Sequence, residues 1–178
     1  MKTPDIKQNP HPKTRYEITM TIDGAPGPFD AVTGFVQYKV SNDRCVPLSP
    51  GSGATLAPEK SVPLDLTRVS DKVYRATFYT DLFQDEDYYG LGVCHWSVVA
   101  ATAALKVNAS DLSPALFIDD IKAQKPVATY FADGEYLDAR KGKDSFPTIT
   151  GSLKRSDYQP ESRTDIFSIT LVAKEDVQ

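Results

Sequence analysis

The chain has 178 residues, of which 40% are hydrophobic, 10% aromatic and 25% charged. This length accommodates one substantial hydrophobic core, and all-β domains of this size are commonly single units. The formal net charge is −4, from 20 basic and 24 acidic residues, which argues against a general nucleic-acid binder, because such proteins concentrate a basic excess. No stretch approaches the roughly 18 apolar residues that a membrane-spanning helix needs.

The first fourteen residues, MKTPDIKQNPHPKT, differ in character from the rest. They contain three prolines, no apolar cluster and no periodicity, which predicts a flexible, partly extended tether over residues 1–14. A start at Met1 followed by this segment fits a cytosolic protein, and it equally fits an exported protein whose signal has been removed. Residues 15–178 are predicted to form a single domain.

Alternating hydrophobicity predicts a series of short strands in this domain. The clearest covers residues 15–23, where an apolar residue occupies every second position from Tyr16 to Ile22. Residues 62–67 and 73–83 flank a short polar turn and are predicted to pair as a hairpin. Residues 109–114 are predicted to hold one helical turn, and Asp133-Gly134 a turn. Further strands are predicted at 34–41, 93–107, 116–118, 127–131, 146–155 and 165–173.

Segment 93–107, VCHWSVVAATAALKV, is apolar on both faces. A central strand that is buried on both sides has this pattern. A buried helix is the alternative, since alanine is abundant, but the β-branched Val98, Val99 and Thr102 favour the strand. Thirteen prolines, ten glycines and seventeen tyrosines and phenylalanines also suit strands joined by turns.

These elements together predict an all-β fold. About eight to ten short strands, separated by turn residues and with little helix, are typical of a two-sheet β-sandwich, either immunoglobulin-like or irregular.

The two cysteines, Cys45 and Cys94, are predicted to form one structural disulfide. An even, minimal number of cysteines in an all-β domain fits an oxidising compartment. The bond would close a loop of about 50 residues and stabilise the fold by about 4 kcal/mol in the entropic model. The alternative is a pair of buried free thiols.

The sequence offers little for catalysis, and we expect no enzyme. Only two histidines occur, His11 in the tether and His95 in the domain, so a multi-histidine metal site is not available. No G-x-S-x-G elbow, phosphate-binding loop or dinucleotide fingerprint occurs. A dispersed Ser–His–Asp or paired-carboxylate site stays open, in which His95 would be the base. We favour a packed or hydrogen-bonded role for this histidine, and expect no resident cofactor.

An acidic, tyrosine-bearing loop at residues 81–92 is the predicted partner-binding site. Rigid aromatic area beside carboxylates that steer a basic partner is typical of protein-binding surfaces. The predicted binding residues are Asp81, Asp85, Glu86, Asp87, Tyr88 and Tyr89. Three alternatives remain: a solvated acidic loop, a calcium site built from the carboxylates, and tyrosines that pack under the loop or hydrogen-bond to a carbonyl.

The proline-rich tether, the predicted disulfide and the string DEDYYGLGVCHW resemble bacterial exported lipoproteins. In that class a lipid-modified cysteine precedes a flexible tether, and several members are immunity proteins that block toxic enzymes delivered by type VI or related secretion systems. The resemblance implies a location in the periplasm or cell envelope and a toxin enzyme as the protein partner, with membrane contact only through a removed lipid anchor. The competing interpretation is an immunoglobulin-like structural or ligand-binding module that takes a glycan or Ca²⁺.

Overall fold

The structure is a computed structural model that describes residues 4–142, 147–159 and 165–176. It confirms the all-β, two-sheet sandwich, with 46% strand and 12% helix. Eleven strands and two short α-helices occur in the described residues. Their bounds are β1 Arg15–Asp23, β2 Ala31–Val40, β3 Glu59–Pro63, β4 Thr67–Arg68, β5 Val73–Tyr79, β6 Trp96–Val107, β7 Ser110–Leu112, β8 Ala115–Phe117, α1 Ile118–Ala123, β9 Val127–Ala132, α2 Asp133–Arg140, β10 Thr148–Ile149 and β11 Ile166–Glu175.

The first sheet has the order β4-β5-β1-β11-β9 and is antiparallel throughout. The period of two in β1 acts as predicted: Ile18 and Met20 are buried against the second sheet, while Glu17 and Thr19 lie on the opposite, outer face. The polar side chains on its outer face are typical of an antiparallel sheet that packs against the core on one side and faces water on the other.

The second sheet has the order β10-β7-β6-β2-β3, with β8 also paired to β6. The strand interpretation of segment 93–107 is confirmed, since β6 is the central strand of this sheet. Its inner face contributes Ala101, Ala103 and Leu105 to the main core, but Ala100 and Ala104 on the outer face belong to no hydrophobic core cluster. Ala100 on the outer face is buried, at 5% exposed, but the main core cluster lies against the inner face only.

Three local predictions were wrong. Residues 62–67 do not form one strand of a hairpin, because β3 pairs with β2 in the second sheet and only β4 pairs with β5. Residues 110–112 form β7 rather than a helical turn, since they pair with the end of β6. The Asp133-Gly134 turn is instead the start of α2. Helices of six and eight residues are too short to show a clear 3.6-residue period.

Helix α2 is held at the end of the sandwich that carries the β1–β2 turn. Asn108 adopts a left-handed conformation (φ 54°), and its side-chain amide donates to the carbonyl oxygens of Ala139 and Arg140, at 2.9 and 2.8 Å. Arg140 donates to Asp30 and to the Pro28 carbonyl, both at 2.7 Å. The Asn108 backbone amide and the Arg140 guanidinium lower the pKa of Asp30. Neither described helix is long and apolar enough to cross a membrane.

We expect Gly151→Ala to destabilise the domain more than Gly53→Ala. Both glycines have φ +69°, so each alanine incurs the left-handed penalty of about 1–2 kcal/mol. A Cβ at residue 151 would also lie 2.6 Å from the Tyr130 carbonyl oxygen, whereas one at residue 53 would meet nothing within 4 Å. The extra contact should cost G151A about 1–3 kcal/mol more. Urea unfolding of the two variants measures the difference, and equal losses would contradict the close approach.

We expect Glu135→Gln to stabilise the protein at neutral pH. Burial raises the pKa of Glu135, and its Oε2 atom is buried with no hydrogen-bond partner among the residues that the structure describes. Because the folded pKa exceeds the ordinary value, the advantage of the variant should be largest above the folded pKa, decrease as the pH falls through it, and reach its minimum below the ordinary value of 4.5. Urea unfolding at several pH values measures this, with Asp138→Asn on the exposed side of α2 as the control.

Candidate functional site

Two loops leave the same end of the second sheet and are covalently joined. One follows β2 (residues 41–58) and the other precedes β6 (residues 80–95), and we call them the disulfide-linked loops. The strand ends from which they leave are register partners, Val40 with Trp96. The predicted disulfide between Cys45 and Cys94 is confirmed, with an S–S distance of 2.00 Å and a Cα–Cα distance of 5.3 Å.

The disulfide lies inside a small second core that is separate from the main one. Cys45 and Cys94 are 1% and 0% exposed, so the bond is shielded from solvent. Its buried neighbours are Val40 and Val46, and its partly buried neighbours are Ala57, Tyr88, Tyr89 and Trp96. The loops are therefore held by packing as well as by the covalent bond.

Asn42 adds a polar link between the same loops. Its Nδ2 donates to the Val93 carbonyl oxygen and its Oδ1 accepts from the His95 backbone N–H, both at 2.7 Å. A buried or partly buried amide that satisfies two backbone groups fixes the distance between the segments that carry them. The sequence analysis missed this residue, because a single asparagine in a loop carries no recognisable pattern.

The predicted binding carboxylates mostly organise the loop itself. Asp81 accepts from the backbone N–H groups of Lys13 and Thr14, at 2.8 and 3.0 Å. Asp85 accepts from the Trp96 backbone N–H at 2.8 Å, and its second oxygen lies 2.9 Å from Nδ1 of His95. Both carboxylates therefore have a structural role in the loop, and Asp85 is also exposed at its surface.

The other predicted binding residues, Glu86, Asp87, Tyr88 and Tyr89, also have partners within the loop or its neighbours. Glu86 pairs with the Lys7 ammonium at 2.9 Å, and Asp87 accepts from the Gly90 backbone N–H at 2.7 Å. The Tyr88 hydroxyl donates to the Gln84 carbonyl oxygen at 2.6 Å, and both tyrosines pack against the disulfide cluster. Asp87 is exposed, whereas the tyrosines occupy the packed arrangement that the sequence analysis left as an alternative.

Residues 7–14, expected to be part of a tether, lie along the second of these loops. Gln8 forms an antiparallel bridge with Phe83, and the Asn9 N–H donates to the Leu82 carbonyl oxygen at 2.7 Å. The Gln84 N–H donates to the Lys7 carbonyl oxygen at 2.9 Å. This segment therefore contributes backbone hydrogen bonds that secure the base of the acidic loop.

The His95 ring has a carboxylate partner. Its Nδ1 faces Asp85, which orients the ring, and 60% of the side chain is exposed. Within the residues that the structure describes, no serine, threonine or cysteine side chain hydrogen-bonds to the ring. The Ser41 hydroxyl, which is nearby, donates to the backbone carbonyl oxygen of His95 at 3.1 Å.

No metal centre is evident in this part of the chain. Over residues 4–142, 147–159 and 165–176, no three His, Cys, Asp or Glu side chains are grouped so that they could hold an ion. The four carboxylates of the acidic loop each have their own hydrogen-bond or ion-pair partner.

The disulfide-linked loops expose four large aliphatic side chains, which we call the apolar quartet. Their exposed fractions are 66% for Leu48, 75% for Leu56, 55% for Leu91 and 46% for Val93. Leu48 forms an antiparallel bridge with Thr55, the residue before Leu56, and Val93 directly precedes Cys94. Several exposed aliphatic residues on one pair of fixed loops indicate an interaction surface. Sequence reasoning missed them, because isolated leucines among Pro, Gly and Ser show no periodicity.

The charges around the apolar quartet are mainly negative. Asp43, Asp85 and Asp87 are exposed on these loops, together with the single cation Arg44 and the titratable His95. Loops that expose both apolar side chains and carboxylates are complementary to a protein surface that combines apolar and basic side chains.

A polar groove of about 430 Å³ lies beside these loops. Its lining includes Asn9, Asp81, Asp85, Trp96 and Lys122. The indole N–H of Trp96 is buried and has no hydrogen-bond partner. The groove combines an indole with acidic, amide and ammonium groups.

Comparisons of the chain with protein-family models, with curated proteins and with solved structures yield no match. The geometry of the loops therefore carries the functional argument.

We expect the Cys45→Ala/Cys94→Ala variant to be less stable by about 4 kcal/mol, because the disulfide closes a loop with a sequence separation of 49 residues. For a domain of this size the loss corresponds to a melting temperature lower by about 8–16 °C. Thermal and urea unfolding measure it, with the reduced wild-type protein as a comparison. Unchanged stability would show that the packing of the loops suffices without the bond.

Proposed function

We propose that this chain is a non-catalytic binding protein of the bacterial periplasm or cell envelope that blocks a secreted antibacterial toxin enzyme. The inhibitor acts as an immunity protein of the type VI secretion kind, and the disulfide-linked loops occlude the enzyme. The observation that carries the proposal is the apolar quartet, which the fold holds out to solvent on loops fixed by a buried disulfide.

Exposure of these side chains is unfavourable unless a partner covers them. Each large aliphatic side chain that becomes fully buried contributes roughly 1.5–3 kcal/mol of hydrophobic free energy. In the free protein Leu48 and Leu56 are 66% and 75% exposed, so most of that gain is available to an interface.

The rigidity of the loops supports an inhibitory role. The disulfide, Asn42 and the packed Tyr88 restrain the loops before binding. Ordering of flexible loops at an interface costs free energy, and restraint in advance lowers that cost. Tight inhibitors of enzymes commonly present such preorganised loops.

The exposed carboxylates on these loops support the choice of partner chemistry. Exposed carboxylates such as Asp85 and Asp87 accelerate association with a basic surface more than they strengthen the final complex. We therefore expect a toxin whose active-site entrance is basic and apolar.

The export proposal is supported by the disulfide. Disulfides persist in oxidising compartments and are rare in the cytosol, where thiols are kept reduced. Thiol titration of protein isolated without reductant should find no free cysteine until the chain is unfolded and reduced.

The test is inhibition of a co-purifying enzyme. Purified chain should capture a toxin enzyme from the strain that encodes it and abolish its activity at equimolar ratio. The variant L48S/L56S/L91S/V93S should lose at least 100-fold in affinity, about 2.7 kcal/mol. A variant with Val69→Ser and Leu153→Ser, exposed by 54% and 64% elsewhere on the surface, is the matched control and should inhibit like the wild type.

Two results would refute the proposal. The first is an enzyme that stays inhibited by the serine variant, which would exclude these loops as the contact. The second is the absence of any inhibited enzyme together with binding of a ligand in the polar groove. The single tryptophan, Trp96, lines that groove, so its fluorescence reports titration with glycans or Ca²⁺. That result would favour the ligand-binding module.

A further inference from the structure

The outer face of the second sheet differs from that of the first. In the first sheet, the outer residues of the central strand β1 include Glu17, Thr19 and Thr21, as a water-facing sheet requires. In the second sheet, the corresponding rows carry apolar and small side chains beside a few polar ones such as Gln37 and Thr33. The apolar and small residues are Phe35, Ala100, Thr102, Ala104, Ala115 and Phe117, which we call the outer apolar face.

The register shows how the outer apolar face is arranged. Phe35 is the partner of Thr102, which in turn pairs with Ala115. One row along, Ala100 pairs with Phe117. The two phenylalanines therefore stand on strands β2 and β8, on either side of the small side chains of the central strand β6.

No second layer covers this face within the described residues. Phe35 and Phe117 are 39% and 56% exposed, whereas Ala100 between them is 5% exposed, and none of the six residues belongs to either hydrophobic core cluster. A strand that is apolar on both faces is expected in sheets covered on both sides, whereas the fold covers only one side of β6.

We propose that a second copy of this chain covers the outer apolar face, so that two sandwiches pack through their second sheets. Two-fold symmetry requires a surface that is complementary to itself, with a projection and a recess on opposite sides of the axis. Phe117 is the projection. The recess is a shallow depression of about 410 Å³ lined by Phe35, Gln37, Glu59, Lys60 and Ser61.

The axis would pass over β6, between the projection and the recess. There the side chains are Ala100 and Thr102, which are small enough to let the sheets approach to the usual packing distance of about 10 Å. The Phe117 ring of each copy would then enter the depression of the other.

The charges on this face favour a second copy over a charged partner. Lys39 pairs with Glu59 at 3.2 Å, and Lys106 is the register partner of Asp111. With Lys60, which lines the depression, the face carries three cations and two carboxylates, so its net charge is small although the whole chain has a net charge of −4. Two such faces meet with little repulsion at physiological salt, because exposed charges are screened.

The available area suits a modest dimer. The strands that carry the face, β3, β2, β6 and β8, have 5, 10, 12 and 3 residues, and at about 3.3 Å per residue and about 4.8 Å between strands they give a footprint of roughly 500 Å². Two copies would bury roughly 1,000 Å² in total, the size of a weak specific interface. This proposal concerns a different surface from the disulfide-linked loops and does not depend on the inhibitor role.

The first test is the molar mass in solution. Sedimentation equilibrium of the full chain, from about 1 µM to about 1 mM, should show a rise from 19.6 kDa towards twice that value. Phe117→Glu should raise the dissociation constant at least tenfold. Leu153→Glu, at a residue that is 64% exposed elsewhere, should leave it unchanged. A monomer over the whole range, or equal dimerisation of the two variants, would overturn the proposal.

The second test locates the axis without disturbing the phenylalanines. Thr102→Cys should form a covalent dimer with a short bis-thiol reagent, because residue 102 lies near its own copy. Thr170→Cys is the matched control, since Thr170 lies on the outer face of the first sheet. Equal cross-linking of the two variants would place the contact elsewhere and overturn the proposed arrangement.

Discussion

The antiparallel ladder between β2 and β6 positions the features on which the rest of the molecule depends. It runs from the Ala31–Lys106 pair to the Val40–Trp96 pair. Its inner face supplies residues such as Val36 and Leu105 to the core. Its outer face carries the apolar and small side chains of the second sheet. Where the ladder ends, the two strands separate into the disulfide-linked loops.

A bulge in this ladder changes which residues of β6 face the core. The register shifts between Gln37 and Tyr38, opposite Val99 on β6, so that both Val98 and Ala101 face the core although they are three residues apart. A bulge inserts one extra residue and increases the local twist. The bulge lies near the end of the sheet from which the disulfide-linked loops leave, so the added twist changes the direction of the strand next to Cys94.

The disulfide and the hydrogen bonds around it fix the loops without burying all of their apolar side chains. The sulfur atoms, Tyr88 and Tyr89 occupy the interior of the loop cluster, and the aliphatic side chains of Leu48 and Leu91 remain outside. In a cluster this small, the disulfide replaces part of the hydrophobic free energy that a larger core would supply. The exposed leucines are therefore free to contribute to an interface.

The sequence by itself determined the fold class, the strands with strict alternation and the disulfide. Alternation is local, so Tyr16 to Ile22 could be assigned to a buried face without knowledge of any neighbour. Only the tertiary structure decided how the segments pair, because the pairing of β3 with β2 and of β7 with β6 depends on contacts between distant residues. It also decided which side chains are exposed. The Asp81 carboxylate and the rings of Tyr88 and Tyr89 make contacts within the loops, whereas Leu48 and Leu56 are exposed to solvent. Residue type alone predicts neither outcome, because burial depends on which other residues pack against a side chain.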